Sequence, residues 1–182
     1  MQGLAGLLDR AVAAMPPLQA LVVAIVYCVG LCCAISALRG FAAVSDRRLA
    51  PHGWSQAGWQ GPTCLLILAI AFVSLSSVIS AALLSVFGMD QTLQASDVFA
   101  YAPQLLKPAQ SEMGRRIVVA IVRILQFIGL LAFIRGLYVA NLSALFPYRR
   151  LLSKGITHMI GGVCAMNMPA FLQVLQTLLL GE

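Results

Sequence analysis

His158, Met159, Cys164, Met166 and Met168 are of the types that bind a soft metal such as copper. Their spacing works against that chemistry. Met159 and Met166 stand two turns apart, and Met166 and Met168 face different ways round a helix. Cys28 and Cys32 do share a helical face at i, i+4, but no His or carboxylate accompanies them in that apolar stretch. Apolar packing accounts for both groups, so no metal site and no cofactor are assigned. Catalysis fares no better. The chain has no G-x-S-x-G, H-E-x-x-H or Walker sequence, and no carboxylate within any long apolar stretch. Only His158 could act as a base there, and no clear nucleophile partners it, so the chain is read as non-enzymatic.

Two arginines lie in or beside apolar sequence. Arg123 sits seven residues into one such stretch, where a charge costs at least a few kcal/mol. It either snorkels to the nearer surface or serves a conducting path or subunit contact. Arg135 comes 12 residues later, about 120° round a helix at ~100° per residue. The two therefore form no single charged stripe, which argues against a voltage sensor or ion filter. Asn167 needs a partner across a helix interface, and Pro169 frees a carbonyl near Ala165, which predicts a kink. Gly161 and Gly162, with Ala165 one turn on from Gly161, admit a close neighbouring helix. Ser74, Ser77 and Ala81 make a similar small face. Such faces serve packing within the chain or contacts between subunits.

The elements that carry these residues are apolar helices. Of 182 residues 60% are hydrophobic and 10% charged, with mean hydropathy +0.91, where a soluble domain needs about 25% charged residues to cover its core. The fold class is therefore an all-α integral membrane protein forming one domain over residues 1–182. Four spans are predicted, near 18–38, 63–87, 117–138 and 156–180, the third and fourth being the less clean. Residues 2–15 place Leu4, Leu7, Leu8, Val12 and Met15 near one face, which predicts an interfacial helix ended by Pro16–Pro17. Asp9 cancels Arg10 and the positive charges follow the first apolar run, so a cleaved signal is not expected. Cys28, Cys32, Cys33 and Cys164 lie in spans and Cys64 near the start of one, a pattern of buried thiols rather than disulfides.

The net charge of +6 is scattered in twos and threes, without the basic run that would indicate nucleic acid. It is better explained by topology. With four spans the first and third connections share a side holding Arg39, Arg47, Arg48, Arg149, Arg150 and Lys154 against Asp46 alone. The positive-inside rule places that side in the cytoplasm and both termini, with the 88–116 loop, in the periplasm. That loop is either a linker resting on the headgroups or a docking surface for an extracytoplasmic partner. Arg39–Gly40 and Arg135–Gly136 lie 96 residues apart, and Gly61 and Gly155 lie 94 apart. Either the chain is a parallel repeat, 18–87 and 117–180, forming two tandem hairpins, or the glycines are ordinary helix punctuation.

The pattern G-I-T-H-M-I-G-G-V-x-A-x-N from Gly155 to Asn167, preceded by a span ending at Arg135–Gly136, resembles a family of small inner-membrane proteins. These are the TraQ/TraR and IcmC(DotE)/IcmD(DotP)/DotV proteins of type IVB conjugation and secretion systems. The resemblance covers most of the second half of the chain and the first half through hydropathy alone. It implies a structural, non-enzymatic subunit of a conjugation or secretion apparatus in the bacterial inner membrane. Its partners would be the bilayer, other apparatus subunits and further copies of itself, with bound phospholipid allowed. The family supplies no catalytic residues. Similarity to two-span pilins suggests the chief alternative, a subunit polymerising into an extracellular pilus or channel ring. Its basic loops would then line a lumen and neutralise the phosphates of a passing nucleic acid. A small-solute or metal transporter is the second alternative.

Overall fold

A backbone N–H or C=O left unpaired in hydrocarbon costs several kcal/mol, so a chain this apolar is expected to satisfy its backbone within helices. The computed structural model describes residues 2–45, 59–89, 112–145 and 151–180, and every element in them is helical. In chain order they are α1 (Gln2–Ser45), α2 (Gln60–Val73), α3 (Leu75–Phe87), α4 (Glu112–Leu145), α5 (Leu151–Met166) and α6 (Met168–Leu180). Arg47, Arg48, Arg149, Arg150 and most of the 88–116 loop lie outside the described residues.

Two stretches, Val12–Val44 in α1 and Gly114–Ser143 in α4, are unbroken helices long and apolar enough to cross a membrane. The other two predicted spans are each split. Leu75–Phe87 bends 86° from Gln60–Val73, and Met168–Leu179 bends 94° from Leu151–Met166. The described residues thus contain two candidate spans, or four if each bent pair crosses as one. Three expectations change. The third span, counted among the less clean because it carries Arg123, is an unbroken helix. The second, expected to cross with tilt, is bent. The N-terminal helix does not end at Pro16–Pro17 but continues through them into the first span.

Each departure has a local cause. Proline's φ near −65° is itself helical, so two prolines cost only their missing N–H groups and ring clashes. A chain with apolar sequence ahead has more to lose by unwinding there. At the second span, both the Ser74 N–H (2.9 Å) and the Ser74 hydroxyl (2.7 Å) donate to the Ile70 carbonyl. Ser74 has φ −101° and ψ 33°, outside the helix, so the break falls at this residue. The kink expected at Pro169 is present. The helix breaks at Asn167, two residues before a proline that cannot bond to Ala165.

Contacts divide the chain into two units. The first comprises Met1–Ala20, Ile79–Ala132 and Gly161–Glu182, the second Leu21–Val78 and Phe133–Ile160. The first unit packs Val122 among Val118, Val119, Met168 and Leu172, joining α4 to α6. The second packs α1 on α2. Gly30 is so close there that a Cβ would lie 3.0 Å from Phe72 Cβ and 3.3 Å from the Ala69 carbonyl oxygen. The rings of Phe41 and Trp59, 5.9 Å apart and tilted by 50°, join the end of α1 to the start of α2.

The bent pairs make topology testable. With all other cysteines replaced, Arg48→Cys and Arg150→Cys should both react with an impermeant thiol reagent from the same side if the first bent pair is one crossing, and Glu182→Cys should react from the opposite side to Arg150→Cys if the second pair is one crossing too. Labelling of the first two from opposite sides would mean that the first pair is re-entrant, and labelling of the last two from one side that the second pair is.

Candidate functional site

Between apolar helices in lipid the hydrophobic effect is weak, and close packing of small residues takes its place. α4 carries Gly129 and Gly136 seven residues apart, and α5 carries Gly155 and Gly162 at the same spacing. Seven residues are two helical turns, so each pair lies along one face. In the second unit a Cβ on Gly136 would fall 2.7 Å from the Met159 nitrogen and 2.8 Å from the Gly155 carbonyl oxygen. One on Gly155 would fall 2.6 Å from the Ala140 nitrogen. In the first unit, a Cβ on Gly129 would lie 2.7 Å from both the Gly162 oxygen and the Met166 nitrogen, and 2.9 Å from the Ala165 Cβ. Real Cβ contacts do not come so close to backbone, so these positions admit only glycine.

The residues singled out from sequence are distributed as follows. Gly162 is buried and Ala165 half-buried, both against Gly129. Gly161 is exposed, with nothing within 4 Å of its Cβ position, so the close face is that of Gly162. Pro169 is buried, and Asn167 is wholly buried at 0% exposure. The Asn167 side-chain amide donates to the Met89 sulfur at 3.4 Å, and the Asn167 backbone carbonyl accepts from Phe171 N–H at 3.0 Å. Arg123 is half-buried, whereas Arg39, Arg135 and Lys154 are exposed. Ser77 and Ala81 are exposed too, so the small face of the second span is not a packing face within the described residues.

Sequence reasoning missed Gly129, Gly136 as a packing residue, and Asn141. The seven-residue spacing of the glycines was available as a signal. Asn141 lies near the end of α4 and its side-chain amide donates to the backbone carbonyl of Cys64 on α2. That bond ties the second long helix to the first bent pair within the second unit. Gln176 was also missed. Its Oε1 is buried and accepts no hydrogen bond from the described residues.

No family model matches the chain, and no curated protein or solved structure is significantly similar to it. The site must therefore be judged on its geometry. No group of three or more His, Cys, Asp or Glu side chains that could hold a metal occurs among the described residues. The five cysteines are free. Cys28, Cys32 and Cys33 line an open apolar groove of about 550 Å³ with Ala24, Ser36 and Leu65. What the arrangement does is hold helices together and set their angles.

Among the described residues the second unit carries Arg39, Arg135 and Lys154 and no acidic residue, and the first carries Arg10, Arg115, Arg116 and Arg123 with Asp9 and Glu112.

The role of Asn141 gives a direct prediction. Replacing it with Leu should lower stability by ~0.6–2 kcal/mol in a reversible unfolding titration in micelles, the cost of an interhelical hydrogen bond. Gly161→Ala, with open space at its Cβ, should stay within about 0.5 kcal/mol of the wild type.

Proposed function

We propose that this chain is a structural, non-enzymatic subunit of a type IVB conjugation or secretion apparatus, resident in the bacterial inner membrane. One observation carries the reading furthest. The segment Gly155–Asn167, which bears the resemblance to that family, includes the residues of α5 that meet α4 backbone to backbone. A motif fixed by helix packing suits an architectural part, whose work is to hold a shape. The basic residues of the first and third connections, Arg39, Arg47, Arg48, Arg149, Arg150 and Lys154, support the orientation, with those connections in the cytoplasm and both termini in the periplasm. The parallel repeat gains support from the element order, in which a long unbroken helix followed by a bent pair occurs twice. The two breaks, Ser74 and Asn167, lie 93 residues apart, close to the 94 that separate Gly61 and Gly155.

A second reading is kept because of α1. Only 17% of its most apolar window is buried, against 28% for α4, so most of that surface meets lipid or another subunit. A subunit that polymerises into a pilus would cover this face with its neighbours. A stationary subunit would leave it largely in lipid, apart from contacts with the apparatus.

Mass spectrometry of sheared surface filaments beside washed membranes separates the two. The resident-subunit reading predicts the chain in the membrane fraction, copurifying with other apparatus proteins, and its absence from filaments. Its presence as the main filament protein would overturn that reading in favour of the pilin. Uptake of a solute by proteoliposomes, abolished in Arg123→Ala or His158→Ala, would support a transporter instead.

A further inference from the structure

We propose that Arg135 and Lys154 together seat the phosphate of an anionic phospholipid on the second unit. The inference rests on the membrane reading alone and holds whichever apparatus, if any, the chain joins. Gly136 meets Gly155 and Met159, while Gly155 meets Ala140, so α4 and α5 run antiparallel at this crossing. Arg135 immediately precedes the contact glycine of α4, and Lys154 that of α5. At ~100° per residue, the residue before the contact lies on the same flank of both helices when the pair is antiparallel. The two cations therefore share one side of a crossing so close that no side chain separates the backbones.

That side is open. Arg135 and Lys154 are both exposed. Asn141, about 140° round α4 from Gly136 in the other sense, bonds to Cys64 on the opposite flank, which is where α2 lies. No acidic residue occurs among the described residues of this unit, and neither cation forms an ion pair there. The ring of His158, one turn beyond Lys154, is engaged through Nδ1 with the Lys154 carbonyl at 2.8 Å. Lys154 is also in the first turn of α5, where unpaired N–H groups add positive potential.

A phosphodiester suits this pair. An arginine fork can take two of its oxygens while the lysine neutralises it as a point charge. Both cations are attached to helices that enter apolar surroundings, so the anion they meet there is a lipid headgroup rather than a soluble phosphate. Basic pockets between membrane helices bind anionic headgroups for this reason.

The test uses the full chain in nanodiscs or mild detergent, with bound lipid measured by native mass spectrometry during titration. Phosphatidylglycerol or cardiolipin should bind in preference to phosphatidylcholine of the same chain length. Arg135→Gln/Lys154→Gln should weaken anionic binding roughly 30-fold, taking about 1 kcal/mol per cation. Arg135→Lys/Lys154→Arg should keep most of it, and Arg10→Gln, in the other unit, should leave it unchanged. Undiminished binding by the double Gln variant, equal affinity for phosphatidylcholine, or full displacement by millimolar inorganic phosphate would overturn the proposal. If the double Gln variant does not fold, loss of binding in the charge-conserving variant overturns it as well, because both positive charges remain. Extraction of the wild type from membranes by alkaline carbonate would sink the membrane reading and this site with it.

Discussion

The approach of α4 and α5 at their glycines is the interaction on which much of the fold depends. In water, burying a leucine supplies about 1.5–3 kcal/mol, but in lipid that gain largely disappears because the surroundings are already apolar. What remains is dispersion between surfaces that fit, and glycine allows the fit to reach the backbone. Gly136 and Gly155 hold the crossing in the second unit, and Gly129 and Gly162 do so in the first. The Arg135 and Lys154 side chains are brought to one flank by the same contact. The basic site proposed here is therefore a consequence of the packing rather than an addition to it.

The polar groups among the apolar helices can be read in the same terms. Each is costly in hydrocarbon unless it finds a partner. Asn141 spends its amide on a carbonyl of another helix, and Asn167 places its amide against the Met89 sulfur. Ser74 donates back to its own helix at the residue where that helix breaks. The two bends, 86° and 94°, come at a serine and at an asparagine shortly before a proline, so similar geometry arises from different local chemistry. That similarity gives the two halves of the chain the same order of unbroken and bent helices.

Much of this was legible in the sequence and some was not, for physical reasons. The helical, membrane-compatible character follows from the lack of charge over long apolar runs, and the break before Pro169 follows from a missing N–H. The continuity through Pro16–Pro17 was not legible, since local preference there favours a stop and the apolar sequence beyond favours continuing. The bend at Ser74 escaped because a serine in a span can bond to its own helix with or without bending it. Gly162 rather than Gly161 forms the close face, since only contact with α4 reveals which side is buried. Asn141 was overlooked because it lies close to a predicted span end, where water could have satisfied it. The basic residues suggested orientation from loop positions alone. The placing of Arg135 and Lys154 on one flank of a helix crossing appears only once the helices are assembled.

The most direct test of the central contact is the stability of Gly136→Val beside Gly161→Val, measured by reversible unfolding in the same micelles. A valine at Gly136 would strike the Met159 nitrogen and the Gly155 carbonyl, neither of which is a flexible side-chain tip that can swing aside. The account predicts a loss of at least ~1–3 kcal/mol, or failure to fold, at Gly136. Gly161→Val should stay within about 1 kcal/mol of the wild type. Equal, small effects at the two positions would contradict the account, since they would mean that α4 and α5 do not meet through glycine in the membrane.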